Sequence, residues 1–220
     1  MEDSGRDPIA LGKSAIVALF VWLACDILLG FASGYELLTL SALDPSTEMT
    51  MSSSPPEAAL SDMAVALVGL TYMLAFAVAG FLILRWIYRV NKNAHVLTAW
   101  MQMSPGWNVG FFFIPIATLW KPFEGVRQSW QASFSPDDPD AEPVPDLLRW
   151  WWGLWVATSI LSNISFRLSL KVETVSDQLP VDVINMVSLL IDIPLAFFLA
   201  AMIRKLSAAQ SGMLKRAVFA

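Results

Sequence analysis

Asp26, Asn163 and Asp192 interrupt long apolar runs, and they are the residues whose type and placement could do chemistry. An aspartate at the middle of a membrane helix costs roughly 2.5–3.5 kcal/mol, so each must face other helices and find a partner. No Lys or Arg falls at the depth of the two aspartates; Arg85 and Arg167 stand at span ends. One use is a proton or cation path through Asp26 and Asp192. The plainer use is a neutral carboxyl that donates to Asn163 or to the other aspartate, an interhelical bond worth about 0.6–2 kcal/mol. Pro194 removes a backbone donor beside Asp192, as ion-coupled helices often do.

Other reactive types are scarce. Cys25 lies in an apolar run, where a thiol is inert, and His95 is the single histidine, expected to be solvated or capping. No Gly-rich phosphate loop, HExxH or GxSxG occurs. The stretch from Tyr35 to Asp62 carries Glu36, Asp44, Glu48, Glu57 and Asp62, with Met49 and Met51 beside them. Carboxylates suit a hard cation and methionines copper, but no ligand spacing fits, so an acidic, solvated, mobile loop is expected. Neither a catalytic residue, a metal site nor a cofactor is expected.

The elements that must position these residues follow from composition. The chain has 220 residues, 56% hydrophobic and 15% charged, with mean hydropathy +0.56. That is a membrane composition. A net charge of −5 and a pI near 4.8 exclude the basic face a nucleic-acid binder needs. One cysteine and one histidine exclude a disulfide framework or a Cys/His zinc site within the chain.

Four stretches are apolar enough to cross roughly 30 Å of hydrocarbon: about residues 14–34, 63–84, 150–166 and 181–203. A cleaved signal peptide is disfavoured, because Asp26 breaks the apolar run and the preceding segment is net negative. The fourteen residues Trp107–Trp120 would rise only about 21 Å as a helix. With four spans and the N-terminus inside, 12 of the 14 basic residues lie inside, and only Arg167 and Lys171 outside. A fifth crossing at Trp107–Trp120 would make the split 7 to 7. Four spans are therefore expected, with both termini cytoplasmic.

Between spans two and three, Trp86, Val90, Ala94, Leu97 and Met101 share one narrow helical arc, with Arg89, Lys92 and His95 off it. This reads as an amphipathic helix in the cytoplasmic interface, anchored by Arg85, Arg89 and Lys92. Trp107–Trp120 either dips in as a re-entrant hairpin turning at Pro115 or lies flat, held by its terminal tryptophans. Residues 135–146 read as an acidic, proline-rich disordered linker, and Trp150, Trp151 and Trp152 as an interfacial belt at the entry to span three.

Asn91 and Asn93, Ser104-Pro105-Gly106-Trp107, Phe112-Phe113-Ile114-Pro115-Ile116, Leu119-Trp120-Lys121-Pro122 and Trp130 carry a resemblance. Together they resemble the signature of a bacterial family of multi-span membrane proteins known only as a domain of unknown function, number 4328. Thr118 stands where that pattern reads asparagine. The resemblance implies a multi-pass protein of the bacterial cytoplasmic (inner) membrane and brings no activity with it.

The expectation is a single all-α membrane domain over residues 1–220: a four-helix transmembrane bundle with an amphipathic interfacial helix and a re-entrant or interfacial segment, spanning residues 86–120, between spans two and three. A non-enzymatic role is expected, engaging membrane lipid or a membrane protein partner through the cytoplasmic-side region. A small transporter or channel-like protein using Asp26 and Asp192 comes second, and a lipid-modifying enzyme third. Small residues such as Ala75 and Ala79 would permit close helix approach, including in a homo-oligomer.

Overall fold

The structure is a computed structural model that describes residues 5–41, 45–46, 56–138 and 140–219. Among these the regular elements are helical: α1 (Ile9–Leu40), α2 (Pro56–Leu97), α3 (Pro105–Gly110), α4 (Lys121–Phe134), α5 (Asp146–Ser169) and α6 (Val175–Phe219), with two 3-10 turns between α3 and α4. Local chemistry marks the starts. Asp7 accepts from the Ile9 N–H with Pro8 between them, and Ser104 caps α3 ahead of Pro105. At α6 the Asp177 carboxylate accepts from both the backbone N–H and the hydroxyl of Thr174, a capping-box arrangement. Pro180 and Pro194 lie inside α6 without ending it.

Three helical segments are long and apolar enough to cross a membrane: Ile9–Tyr35, Leu67–Leu97 and Val175–Arg216, among the described residues. The expected third span falls in α5, which is long enough at about 36 Å but less apolar than those three. The helices overrun the expected spans. Over its 42 residues α2 rises about 63 Å, twice a hydrocarbon core.

Arg85–Leu97 is consequently no separate interfacial helix but the last turns of α2; no Gly or Pro follows Gly80 to break it. Its arc is buried in protein rather than lipid. Trp86, Val90 and Ala94 are fully buried, and Ala94 packs with Met101, with Ala132 of α4 and with half-buried Trp100. The polar loop also shortens, because α1 runs on to Leu40 and α2 starts at Pro56. Asp44, Glu48, Met49 and Met51, and the side chains of Glu36, Glu57 and Asp62, lie outside the described residues, so the loop reading is untested there. Residues 135–146 are not a free linker: the carbonyls of Pro136 and Glu142 accept from Trp100 Nε1 (2.8 Å) and Gln131 Nε2 (3.3 Å).

Two compact units emerge, and α1, α2, α5 and α6 each supply a segment to both. The first comprises residues 1–19, 78–153 and 197–220 and has a dense core that includes Trp86, Ile87, Val126, Leu148, Trp151 and Met202. The second comprises residues 20–77 and 154–196. It buries Trp22, Leu23 and Leu195 but leaves Leu67, Leu70, Met73, Leu74 and Phe76 largely exposed. For a membrane-crossing segment, those exposed apolar side chains form a surface suited to lipid.

Candidate functional site

The motif residues fall in the first unit, where two of them, Asn91 and Asn93, enter a buried polar knot. Asn93, fully buried near the end of α2, pairs with the backbone of Arg6 as a strand neighbour would. Its Oδ1 accepts the Arg6 N–H (3.1 Å), and its Nδ2 donates to the Arg6 carbonyl (2.9 Å) and to Gln210 Oε1 (3.0 Å). Gln210 Nε2 in turn donates to the Val90 carbonyl (2.8 Å) and to Ser133 Oγ (3.0 Å). The Asn91 amide donates to Ser129 Oγ at 3.3 Å, and Trp86 Nε1 donates to Ser207 Oγ at 2.9 Å. One network thus ties the chain start to α2, α4 and α6, and its members satisfy one another as buried polar groups must.

Two amides depart from that rule. Asn91 Oδ1 and both polar atoms of Asn108 are buried without a partner. Asn108 lies against Gly125, where a Cβ would collide with the Asn108 amide, so only glycine admits this approach of α3 to α4. Ser129, which binds Asn91, follows Gly125 by one turn, and its hydroxyl donates to the Gly125 carbonyl. Asn91 and Asn108 therefore address adjacent turns of α4.

The Trp107–Trp120 stretch is neither a continuous helix nor an extended strap. After α3 comes a 3-10 turn at Phe111–Phe113, a reversal, and a second 3-10 turn at Ala117–Leu119. The reversal is a γ-turn centred on Ile116 (φ 69°, ψ −59°), closed by the Ala117 N–H donating to the Pro115 carbonyl at 2.8 Å. This φ is strained for a β-branched residue. Thr118 braces the turn, its N–H donating to the Ile114 carbonyl and its hydroxyl to that of Phe112. At the tip Phe113 is 73% exposed and Ile116 70%. Pro115, Trp107 and Trp120 are exposed too, Trp107 lying against Phe111 with ring centroids 5.2 Å apart.

The remaining motif residues hold this reversal in place. Pro105 opens α3; Lys121 and buried Pro122 open α4, with Lys121 paired to Glu124 at 3.5 Å. Trp130 is buried and stacked on Phe134 at 4.6 Å. Gln128 Oε1 accepts the N–H groups of Gln102 and Met103, fixing the approach to α3. The tryptophan triplet does not form a belt, because successive helix positions point about 100° apart. Trp150 is exposed, Trp151 is buried in the core, and Trp152 donates to the Leu119 carbonyl at 3.0 Å with its ring on Phe123 and Phe112. Of the expected anchors, Arg85 is exposed while Arg89 and Lys92 are half-buried.

In the second unit, Asp26 and Asp192 come within electrostatic reach of each other, and Tyr72 within reach of both. Asp192 is buried and accepts from the Thr158 hydroxyl at 2.9 Å. Asp26 Oδ2 is buried with no donor. Gly30, one turn beyond Asp26, abuts the Leu189 side chain so closely that a Cβ would overlap it, which lets α1 and α6 approach here. Asn163 is not brought to this cluster. It sits on an exposed face of α5, where its Oδ1 accepts from Arg167 Nε at 2.9 Å, since a local partner one turn away is within reach without tertiary contact.

Sequence reasoning missed Gln210, Ser129, Ser133, Ser207 and Asn108. The signal was there for two helices: Ser129 and Ser133 in α4, and Ser207, Gln210 and Ser211 in α6, each form a polar stripe at helical spacing on a buried face. Among the described residues no three His, Cys, Asp or Glu side chains come together as a metal site. Amides and hydroxyls of the knot neither titrate near neutral pH nor activate a nucleophile. What they can do is hold backbone segments in place.

No curated protein and no solved structure matches the chain. A family model, that of a domain of unknown function (DUF4328), matches residues 50–208. This interval takes in α2 through most of α6, and with them every motif residue from Asn91 to Trp130. With well over half of its length matched, this membrane-type chain belongs to the DUF4328 family.

Proposed function

We propose that the chain is a non-enzymatic, four-span protein of a bacterial cytoplasmic membrane. In this reading α5 is the further span, both termini are cytoplasmic, and the Phe111–Trp120 reversal seats its apolar tip in the lipid interface. The observation that carries it is the exposure of Phe113 and Ile116 at the tip of a turn braced by Thr118 and Trp152. A rigidly presented apolar tip is unfavourable in water, and burying each such side chain is worth about 1.5–3 kcal/mol. Exposed Trp107, Trp120 and Trp150 suit head-group depth, and the bias of 12 basic residues against 2 supports the orientation.

The test places an environment-sensitive fluorophore at Phe113→Cys in a Cys25→Ser background, in vesicles containing spin-labelled lipid. Blue-shifted emission quenched by the lipid label is expected. Water-like emission with no quenching would overturn the reading. Protease protection of tags at the two termini checks the orientation.

A proton or cation path through Asp26 and Asp192 is a second reading, favoured by the partnerless Asp26 oxygen beside the Thr158-bound Asp192. It requires pH-dependent flux in vesicles that falls in Asp26→Asn and Asp192→Asn. Flux unchanged in both variants excludes it.

A further inference from the structure

Within the first unit, the start of α1 and the end of α6 leave a cleft of about 190 Å³ between them. Its walls are aliphatic: Ile9 and Ile16 from α1, Ile203 from α6. Two cations also line it, Lys13 on α1 and Arg204 on α6, both exposed. Neither has a carboxylate partner among the described residues. The neighbouring carboxylate, Asp7, is engaged by the Ile9 N–H and by Ser211 Oγ, two turns along α6 from Arg204.

The floor is built by close packing. At Gly12 a Cβ would stand 2.8 Å from Ser207 Oγ and 3.1 Å from Ile203 Cγ2, and the Ser207 hydroxyl accepts from buried Trp86. Any larger residue at position 12 would push the helices apart or fill the cleft. The site thus joins an apolar slot to a doubly cationic rim in a chain with membrane-crossing helices.

We infer that this cleft binds one anionic phospholipid, its head-group phosphate between Lys13 and Arg204 and the start of an acyl chain along Ile9, Ile16 and Ile203. Charge complementarity selects the head group, and aliphatic walls select a chain over a soluble phosphate. The Phe113–Ile116 tip plays no part in it.

The experiment is native mass spectrometry of the full chain in detergent, titrated with dioleoylphosphatidylglycerol or dioleoylphosphatidylcholine. One phosphatidylglycerol per chain should be retained in preference to phosphatidylcholine. The double variant Lys13→Gln/Arg204→Gln should lose that preference by about thirtyfold, each cation near the surface contributing about fivefold. The charge-preserving Lys13→Arg/Arg204→Lys variant should keep it. Ala208→Trp, at an exposed position lining the slot, should lose the bound lipid with both cations present. Three outcomes would overturn the inference: equal retention of the two lipids by the wild type, retention unaffected by Ala208→Trp, or displacement of the lipid by millimolar glycerol phosphate.

Discussion

In the first unit Gln210 makes three hydrogen bonds through one buried amide, and Asn93 makes three through another; in the second, Asp192 has one hydroxyl donor and Asp26 keeps a buried oxygen with none. Both regions place polar groups between helices, yet Asn93 and Gln210 of the first are paired through both amide atoms, with Asn91 Oδ1 and the Asn108 amide as exceptions, whereas the second leaves a carboxylate oxygen without a donor. Paired neutral amides fix geometry, since a displaced amide would be left unsatisfied. An open carboxylate pair fixes little and remains available to a proton or cation. The contrast separates scaffold from candidate conductor within one chain. The strained turn at Ile116 is held separately, by Thr118 and Trp152, as such a turn persists only where its surroundings over-determine it.

Breaking the knot should have the largest effect. Gln210→Leu removes three buried hydrogen bonds at about 0.5–1.5 kcal/mol each, since Ser133 Oγ keeps the Ser129 carbonyl and Asn93 Nδ2 keeps the Arg6 carbonyl. Unfolding in mild detergent should show a loss of about 2–4 kcal/mol; a loss below about 1 kcal/mol would mean that the Gln210 amide does not hold α2, α4 and α6 together. Gly30→Leu comes next, at about 1–3 kcal/mol from overlap with Leu189. Adding Leu189→Ala should return part of that loss, and a double-mutant cycle with no coupling would show that the approach of α1 to α6 is not set there.

Smaller effects sharpen the second half of the contrast. Thr158→Val removes the donor to Asp192 and should cost about 0.6–1.7 kcal/mol in the same unfolding measurement. Asp26→Asn, which removes an ionisable group whose buried oxygen has no donor, should leave stability within about 0.5 kcal/mol of wild type. A larger loss would show that the charge itself is structural. The smallest change is expected of Ile116→Gly, which relieves the positive φ but gives back part of the gain as chain entropy. A rise in Tm of about 1 °C checks it; a fall would mean the exposed isoleucine contributes more than its backbone strain removes.

Much was legible in the sequence where the signal is local. Apolar runs announced α1, α2 and α6, and the arc Trp86, Val90, Ala94 announced a buried face. What covers that face was not legible: it is α4 and α6, because Asn91 and Asn93 on the same turns need polar partners that lipid lacks. The tryptophan triplet illustrates the same gap. Composition places three indoles at one position along a helix, whereas their three environments follow from which neighbours stand at each angle.

By itself, then, the sequence determined the helical membrane class, the family and the residues too polar for their surroundings, since hydropathy and motif spacing are properties of neighbouring positions. Tertiary structure alone decided that Asn93 meets Arg6 across 87 positions and Gln210 across 117, that Asp26 comes within reach of Asp192, and that the family motif contains a γ-turn with its apolar tip outward. The physical reason is that a hydrogen-bond partner is chosen by what lies across a packed interface. An amide's need for a partner is written in its type, but the identity of that partner is written only in the fold.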